Sequence, residues 1–302
     1  MRYVVALGGN ALEDKGSVEA AARAIAKLYM DGNEIVVTHG NGPQVGELAM
    51  EQSEGLAILT AQTQAWIGTV IEQGIAKALE NARASRSYAV PEVILTKTVV
   101  DRRDAAFSNP TKPIGRFCTK SEAAALARRG FVMKKLINGY RRVVPSPTPR
   151  ETVQKGFILE RLKAGHIAIA CGGGGMPVLR RAGMLDFADA VIDKDISSAL
   201  LAREIKADRF VILTNVDGIY LNFRGRNQEL LKRADTAWLR DRLRRGCFES
   251  GSMEPKVRAC IDFVESTGNP AAIGNISKPK QVFSMKRLTL ITPRTPKRTK
   301  KI

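Results

Sequence analysis

The residues of this chain best suited to chemistry are glycines and lysines rather than side-chain nucleophiles. Glycine clusters follow three apolar runs: Gly8-Gly9-Asn10, Gly40-Asn41-Gly42 and Gly172-Gly173-Gly174-Gly175. Glycine permits positive φ and leaves the backbone bare, so successive N–H groups can converge on an anion. Pro43 suits a first helical turn, and a helix N-terminus there adds roughly half a positive charge facing the same point. Lys112 stands between Thr111 and Pro113, Lys194 between Asp193 and Asp195, and Lys256 directly after Pro255 at a helix start. Bare amides and lysines are what phosphoryl transfer requires, because there the protein mainly positions reactants and neutralises charge on the phosphoryl oxygens.

Each motif also has an ordinary reading. A glycine turn can be a plain strand–turn–helix corner, Lys112 a solvated loop lysine, and the acids around Lys194 capping carboxylates. Four consecutive glycines after an apolar strand are harder to justify structurally, since each costs conformational entropy on ordering, and they fit a close backbone approach to a ligand. Other chemistries are excluded by pattern. There is no GxxxxGK[ST], and GNGPQVG has the wrong spacing for the GxGxxG dinucleotide fingerprint. No Ser/His/Asp order suggests acyl transfer, and His39 reads as a polar lining residue rather than a base.

The elements that position these residues alternate strand and helix patterns, which predicts a mainly parallel α/β sheet. Strands are expected over 3–7, 35–38, 92–97, 166–171, 209–214, 271–275 and 288–292. Helices are expected over 17–30, with Ser17 as a possible cap, and over 56–79, 121–129, 151–164, 196–205 and 235–245, and a last one opens at the Pro255 turn and runs to about 266. In 56–79, Leu59, Trp66, Ile67, Val70, Ile71 and Ile75 recur at helical spacing, which fits core packing or a subunit interface. Between 101 and 149 the pattern breaks up, with dense proline and glycine at both ends, so a small inserted subdomain is expected.

The 302 residues, 44% of them hydrophobic, can bury a sizeable core. No apolar run approaches the roughly 18–20 residues of a membrane helix, and MRYVVALGGN reads as a first strand rather than a signal peptide. Cys118, Cys171, Cys247 and Cys260 are scattered without a CxxC, and the chain has two histidines. That argues against a zinc site or disulfide scaffold and suits a reducing cytoplasm. Of the net charge of +18, half lies in 278–302, which holds nine Lys/Arg and no Asp/Glu. The end reads as a solvated basic tail, and the remaining positive balance favours anionic substrates such as nucleotides.

Taken together and in order, GGNAL, VVTHGNGPQVG, NPTKPIGRF, RRVVPSP, GGGG, AVIDKD, VDGIY and GSMEPKV resemble the carbamate kinases of the amino acid kinase superfamily, over nearly the whole chain to about Pro293. The resemblance implies a three-layer αβα sandwich around a largely parallel sheet. One kinase domain would span 1–293, with a protruding subdomain inserted at about 108–147 and a basic tail at 294–302. It also implies a homodimer and reversible phosphoryl transfer between ATP and carbamate, giving ADP and carbamoyl phosphate. Mg²⁺ would arrive on the nucleotide rather than in a protein metal site. No membrane or nucleic-acid partner is expected.

Carried over position by position, the resemblance makes Lys112, Lys194, Asp195 and Lys256 catalytic, with Asp195 holding the lysines in register. Gly8, Gly9, Asn10, Gly40, Asn41, Gly42, Gly172, Gly173 and Gly174 would bind the acceptor and the transferred group. Thr214, Val216, Asp217, Tyr220 and Met253, with Lys256, would bind the nucleotide. The segment KKLINGYRR departs from the family pattern, lacking its acidic pair and Gly-Arg-Gly and running about one residue shorter. That difference bears on subdomain closure and acceptor choice. A related kinase acting on another small carboxylate or phosphate acceptor is the alternative.

Overall fold

Val4-Val5-Ala6-Leu7 and Ile35-Val36-Val37 are apolar at every position, as strands covered on both faces must be. Both lie at the centre of an eight-stranded sheet in the computed structural model, which describes residues 1–8, 14–82, 90–223, 225–249 and 251–294. The strand order is Arg233–Asp235, Leu288–Thr292, Ala271–Asn275, Arg209–Thr214, Arg2–Leu7, Glu34–His39, Ile167–Ile169 and Pro91–Val93. Neighbours run parallel throughout, except that Leu288–Thr292 turns back against Ala271–Asn275.

Alternation along each strand divides the core in two. Val4 and Ala6 face helices Lys155–Lys163, Lys194–Glu204 and Met253–Thr267, through Ile158, Leu201 and Val257. Val5 and Leu7 face helices Lys15–Met30 and Leu56–Asn81, through Ile25, Ile67 and Ile71. This is a three-layer αβα sandwich.

Two smaller sheets stand beside the main one. Met184–Phe187, Met176–Arg181, Lys97–Val100 and Pro149–Thr152 form the first. Lys112–Cys118, Gly139–Val144 and Met133–Leu136 form the second, with helix Lys120–Arg128 packed on it. The helix is fixed by a capping box, in which Thr119 and Glu122 bond each other's backbone N–H. Gly46 and Gly115 join this unit to helix Gly42–Glu51. A Cβ on Gly46 would stand 1.8 Å from Gly115 N, so the two backbones touch directly.

Three local expectations change. The strand expected over 92–97 is two strands in different sheets, because the buried Gln64 amide replaces the ladder at Thr96, accepting from its N–H at 2.9 Å and donating to its carbonyl at 3.2 Å. The helix expected from 151 begins at Lys155, since Pro149–Thr152 pairs with Lys97–Val100. The first helix is capped by Asp14 rather than Ser17, its carboxylate accepting from Gly16 and Ser17 N–H.

Candidate active site

The segment Asp193-Lys194-Asp195 is the point on which the site converges. Asp193 caps helix Lys194–Glu204, accepting from Asp195 N at 2.9 Å, and its other oxygen takes a hydrogen bond from Lys112 Nζ at 2.6 Å. Asp195, 4% exposed, stands between two ammonium groups: Lys194 Nζ is 2.8 Å from Oδ1 and Lys256 Nζ is 3.1 Å from Oδ2. Lys256 also donates to Ser252 O at 3.1 Å. The Lys194–Asp195 contact is an ion pair without hydrogen-bond alignment, so Lys194 Nζ is buried with no aligned acceptor. A buried ammonium in that condition is poised for an anion.

The electrostatics follow from burial and spacing. Burial alone would push the Asp195 carboxyl up, but Lys194 and Lys256 outweigh it and hold the group below the usual carboxylate range. Burial pushes Lys194 down; Asp195 partly restores it, and Lys256 lowers it further. Two lysines brought this close repel each other, and the carboxylate between them is what makes the arrangement tenable. Helices Gly42–Glu51, Lys194–Glu204 and Met253–Thr267 all begin beside the same cleft. Their N-termini add to its positive potential.

The glycine turns interlock with the protein itself. A Cβ at Gly172 would stand 2.4 Å from His39 Nε2, and one at Gly173 would stand 2.1 Å from Asn41 Nδ2. Gly173, Gly174 and Gly175 have φ of 60°, 91° and 89°. The run of four glycines is therefore required by packing and backbone conformation as well as by any ligand. Gly174 O accepts from Thr98 and Ser197 hydroxyls, both at 2.8 Å. His39 is sealed beneath this turn, and burial lowers its pKa to about 4, so the imidazole stays neutral.

Two cavities meet here. The larger, about 640 Å³, runs between the main body, at Gly40, Asn41, Gly42 and Gly173, and the three-stranded unit, at Lys112 and Arg141. The smaller, about 300 Å³, is lined by Gly8, Thr214, Val216, Tyr220, Phe223 and Met253. Lys194, Gly251 and Lys256 line both. A polar cleft and a partly aromatic pocket thus share a wall of two lysines.

The structure brings Lys112, Lys194, Asp195 and Lys256 together, along with Gly40, Asn41, Gly42 and Gly173. Gly8, Thr214, Val216, Tyr220 and Met253 gather at the smaller cavity. Gly172 and Gly174 are buried behind the cleft and do not line it. Asp217 turns away from the pocket: its carboxylate accepts from Asn275 Nδ2 at 3.0 Å and Arg287 Nε at 2.7 Å. Gly9 and Asn10 lie outside the described residues. Sequence reasoning gave no site role to Asp193, whose only signal was its place in Asp-Lys-Asp. It also missed Arg116 and Arg141, which look like two among many surface basic residues until the strands turn them to the cleft. Among the described residues, no group of three or more His, Cys, Asp or Glu is placed to hold a metal ion.

The chain is similar to known proteins over nearly its whole length. The pattern of the Amino acid kinase family matches residues 1–275. A carbamate kinase of Thermoplasma volcanium is 41% identical over 97% of this chain and 100% of its own length. One from Trichomonas vaginalis is 40% identical over 97% and 100%. Among solved structures, the carbamate kinase of Giardia lamblia bound to AMP-PNP superposes with a TM-score of 0.81 at 34% identity, covering 97% of this chain and 98% of that one.

Proposed function

The chain belongs to the amino acid kinase family, and we propose that within it the protein transfers a phosphoryl group reversibly between ATP and carbamate, giving ADP and carbamoyl phosphate. The observation that carries this reading is the wall of Lys194 and Lys256 shared by the two cavities. The nucleoside occupies the smaller cavity, against Val216, Tyr220 and Met253, with its phosphates directed over Lys256. The acceptor occupies the larger one, beside Gly40, Asn41 and Gly42.

A carbamate oxygen attacks the γ-phosphorus, the bond from that phosphorus to the bridging oxygen breaks, and its electron pair leaves with ADP. Carbamate is already an anion, so no general base is needed, which suits a site whose only histidine is neutral and walled in. Lys112, Lys194 and Lys256 neutralise the phosphoryl oxygens as the bond order falls. Asp195 keeps the last two in register, and Asp193 does the same for Lys112.

Mg²⁺ fits this site only as part of the nucleotide. Asp193 and Asp195, the carboxylates on either side of Lys194, are both paired with lysines. Magnesium keeps several waters and is commonly held by substrate phosphates, so it needs no protein cage. When bound there it supplies further charge neutralisation.

The exposed face of helix Leu56–Asn81 supports a homodimer. Trp66 and Val70 are 57% and 49% exposed one turn apart. The helix packs through Gly68 on Val93 of the strand that ends the main sheet. The four cysteines are free, which suits a reducing cytoplasm. No helix among the described residues is long and apolar enough to cross a membrane. We read 1–293 as one kinase domain carrying the subdomain at about 108–147.

The test of acceptor identity is a panel of acyl phosphates as donors to ADP with Mg²⁺. Carbamoyl phosphate should give the highest kcat/KM. A larger value for acetyl phosphate or another acyl phosphate would assign the protein to a different acceptor within the family.

A further inference from the structure

A third cavity, of about 290 Å³, has Asp193 in its wall, as the active-site cleft does. It shares no other lining residue with the two cavities described above, so it is a separate space. Its size lies at the small end of the roughly 300–1,000 Å³ range of ligand pockets. Part of its wall is Ser146, Pro147 and Thr148, on the link by which the chain returns from the three-stranded unit to the body. That link is tied down on both sides: Pro145 O accepts from Val191 N at 3.0 Å, and Thr148 N donates to Asp104 Oδ2 at 2.9 Å. Helices Thr236–Arg244 and Met253–Thr267 supply Arg240, Arg258 and Asp262, with Leu243 and Ile261 as apolar lining.

The charged groups of this cavity are incompletely matched by the protein. Arg240 commits Nε and Nη2 to Glu265, and Arg258 commits Nε and Nη2 to Glu254. Nη1 of each arginine has no acceptor among the described residues. Asp262 stands one turn beyond Arg258 on the same helix, a spacing at which the two could pair. Arg258 turns back to Glu254 instead, and the Asp262 carboxylate enters no ion pair or hydrogen bond among the described residues. Partial burial pushes its pKa up in spite of Arg240, Arg203 and Arg258, as happens to a carboxylate short of partners. Two open cationic donors, one unpaired carboxylate and an apolar lining are complementary to a small molecule that carries both charges.

We propose that this cavity is a regulatory site for a small zwitterion, by class a free amino acid, whose carboxylate engages Arg240 and Arg258 and whose ammonium engages Asp262. Its coupling to the reaction runs through Asp193, which lines this cavity and accepts from Lys112 Nζ at 2.6 Å in the cleft. A ligand that fits the observed arrangement favours it over others. Occupancy therefore holds the return link and Asp193 in place, keeps Lys112 at the transferred group and raises kcat. Binding at the cavity is independent of the reaction assigned above, whereas the effect on kcat rests on that reading.

The test is calorimetric titration of the full chain with each standard L-amino acid, and with acetate and methylammonium as probes of one charge alone. ATP formation from ADP and carbamoyl phosphate is followed with and without each amino acid that binds. At least one amino acid should bind at millimolar concentration or below, more tightly than either single-charge probe, and raise kcat twofold or more. Asp262→Asn and Arg258→Gln should each raise its Kd tenfold or more, while kcat without the amino acid and Tm stay close to wild type. Binding by none of the amino acids would overturn the proposal, as would a Kd unchanged in both variants. Acetate binding as tightly as any amino acid would overturn the zwitterion class in favour of plain anions. Binding with unchanged kcat would overturn the coupling through Asp193. An amino acid that binds to a protein without turnover on carbamoyl phosphate would keep the site and fault the reaction reading instead.

Discussion

Lys112 Nζ lies 2.6 Å from Asp193 Oδ2, although the two residues are 81 apart in sequence and belong to different units of the fold. One carboxylate thereby caps the helix that carries Lys194 and holds the lysine that the three-stranded unit sends into the cleft. Removing it should have two separable effects. Asp193→Ala should lose about 1 kcal/mol of stability from the cap and, in addition, lower kcat by releasing Lys112. Thermal melting reads the first effect and ATP formation the second. Unchanged kcat alongside a lowered Tm would mean that the ion pair does not position Lys112.

Lys112 itself should be dispensable for folding, since its side chain is 31% exposed at the rim of the cleft. Lys112→Ala should lower kcat by about 100-fold, the order expected for losing one charged donor at a transferring group. The KM for ADP should change little. A loss confined to KM would place the lysine in ground-state binding instead.

Gly46 and Gly115 define how closely the subdomain can sit. Alanine at position 46 would put its Cβ 1.8 Å from Gly115 N, and backbone cannot rotate away as a side chain can. Gly46→Ala should cost roughly 1–3 kcal/mol from overpacking and should reduce activity by displacing the strand that carries Lys112. Denaturant unfolding and a kinetic assay together test this. Wild-type values in both would mean that the contact yields easily.

Buried His39 gives the stability a pH window. Its folded pKa is about 4 against an ordinary 6.5, so the unfolded chain takes up a proton that the folded chain refuses. Stability is therefore fully present above about pH 6.5 and falls as pH drops towards 4, by about 3 kcal/mol in total if the whole difference is expressed. Asp195 is held below the usual carboxylate range, so its own contribution is lost only below about pH 5 and meets just the acid end of this window. Urea unfolding between pH 4 and 7.5 should show the decline, and His39→Asn should flatten it. A decline of equal size in that variant would assign the titration to another group.

The phosphate-handling character of this site could be read from local patterns in the chain, whereas the individual residue roles came from the family resemblance. Lys194 and Asp195 are adjacent, the glycine turns follow apolar strands, and Pro255-Lys256 opens a helix. What was not legible depends on contacts between distant residues. Gln64 breaks a strand 32 residues away by replacing its ladder partner at Thr96. The family resemblance makes Asp217 a pocket residue, yet Asn275 and Arg287 draw its carboxylate away, and no local pattern announces either. The four glycines were legible as a demand for bare backbone, but the side chains of His39 and Asn41 account for part of that demand.

The central claim is that Lys194 faces the transferred phosphoryl group where the two cavities meet. The most direct measurement is the rate of ATP formation from ADP and carbamoyl phosphate with Mg²⁺, for wild type and for Lys194→Ala, with Tm and the Kd for ADP recorded on both. Turnover by wild type, and a loss of about 100-fold or more in the variant with the fold retained and ADP still bound, is the predicted result. Near-normal turnover by Lys194→Ala would contradict the account.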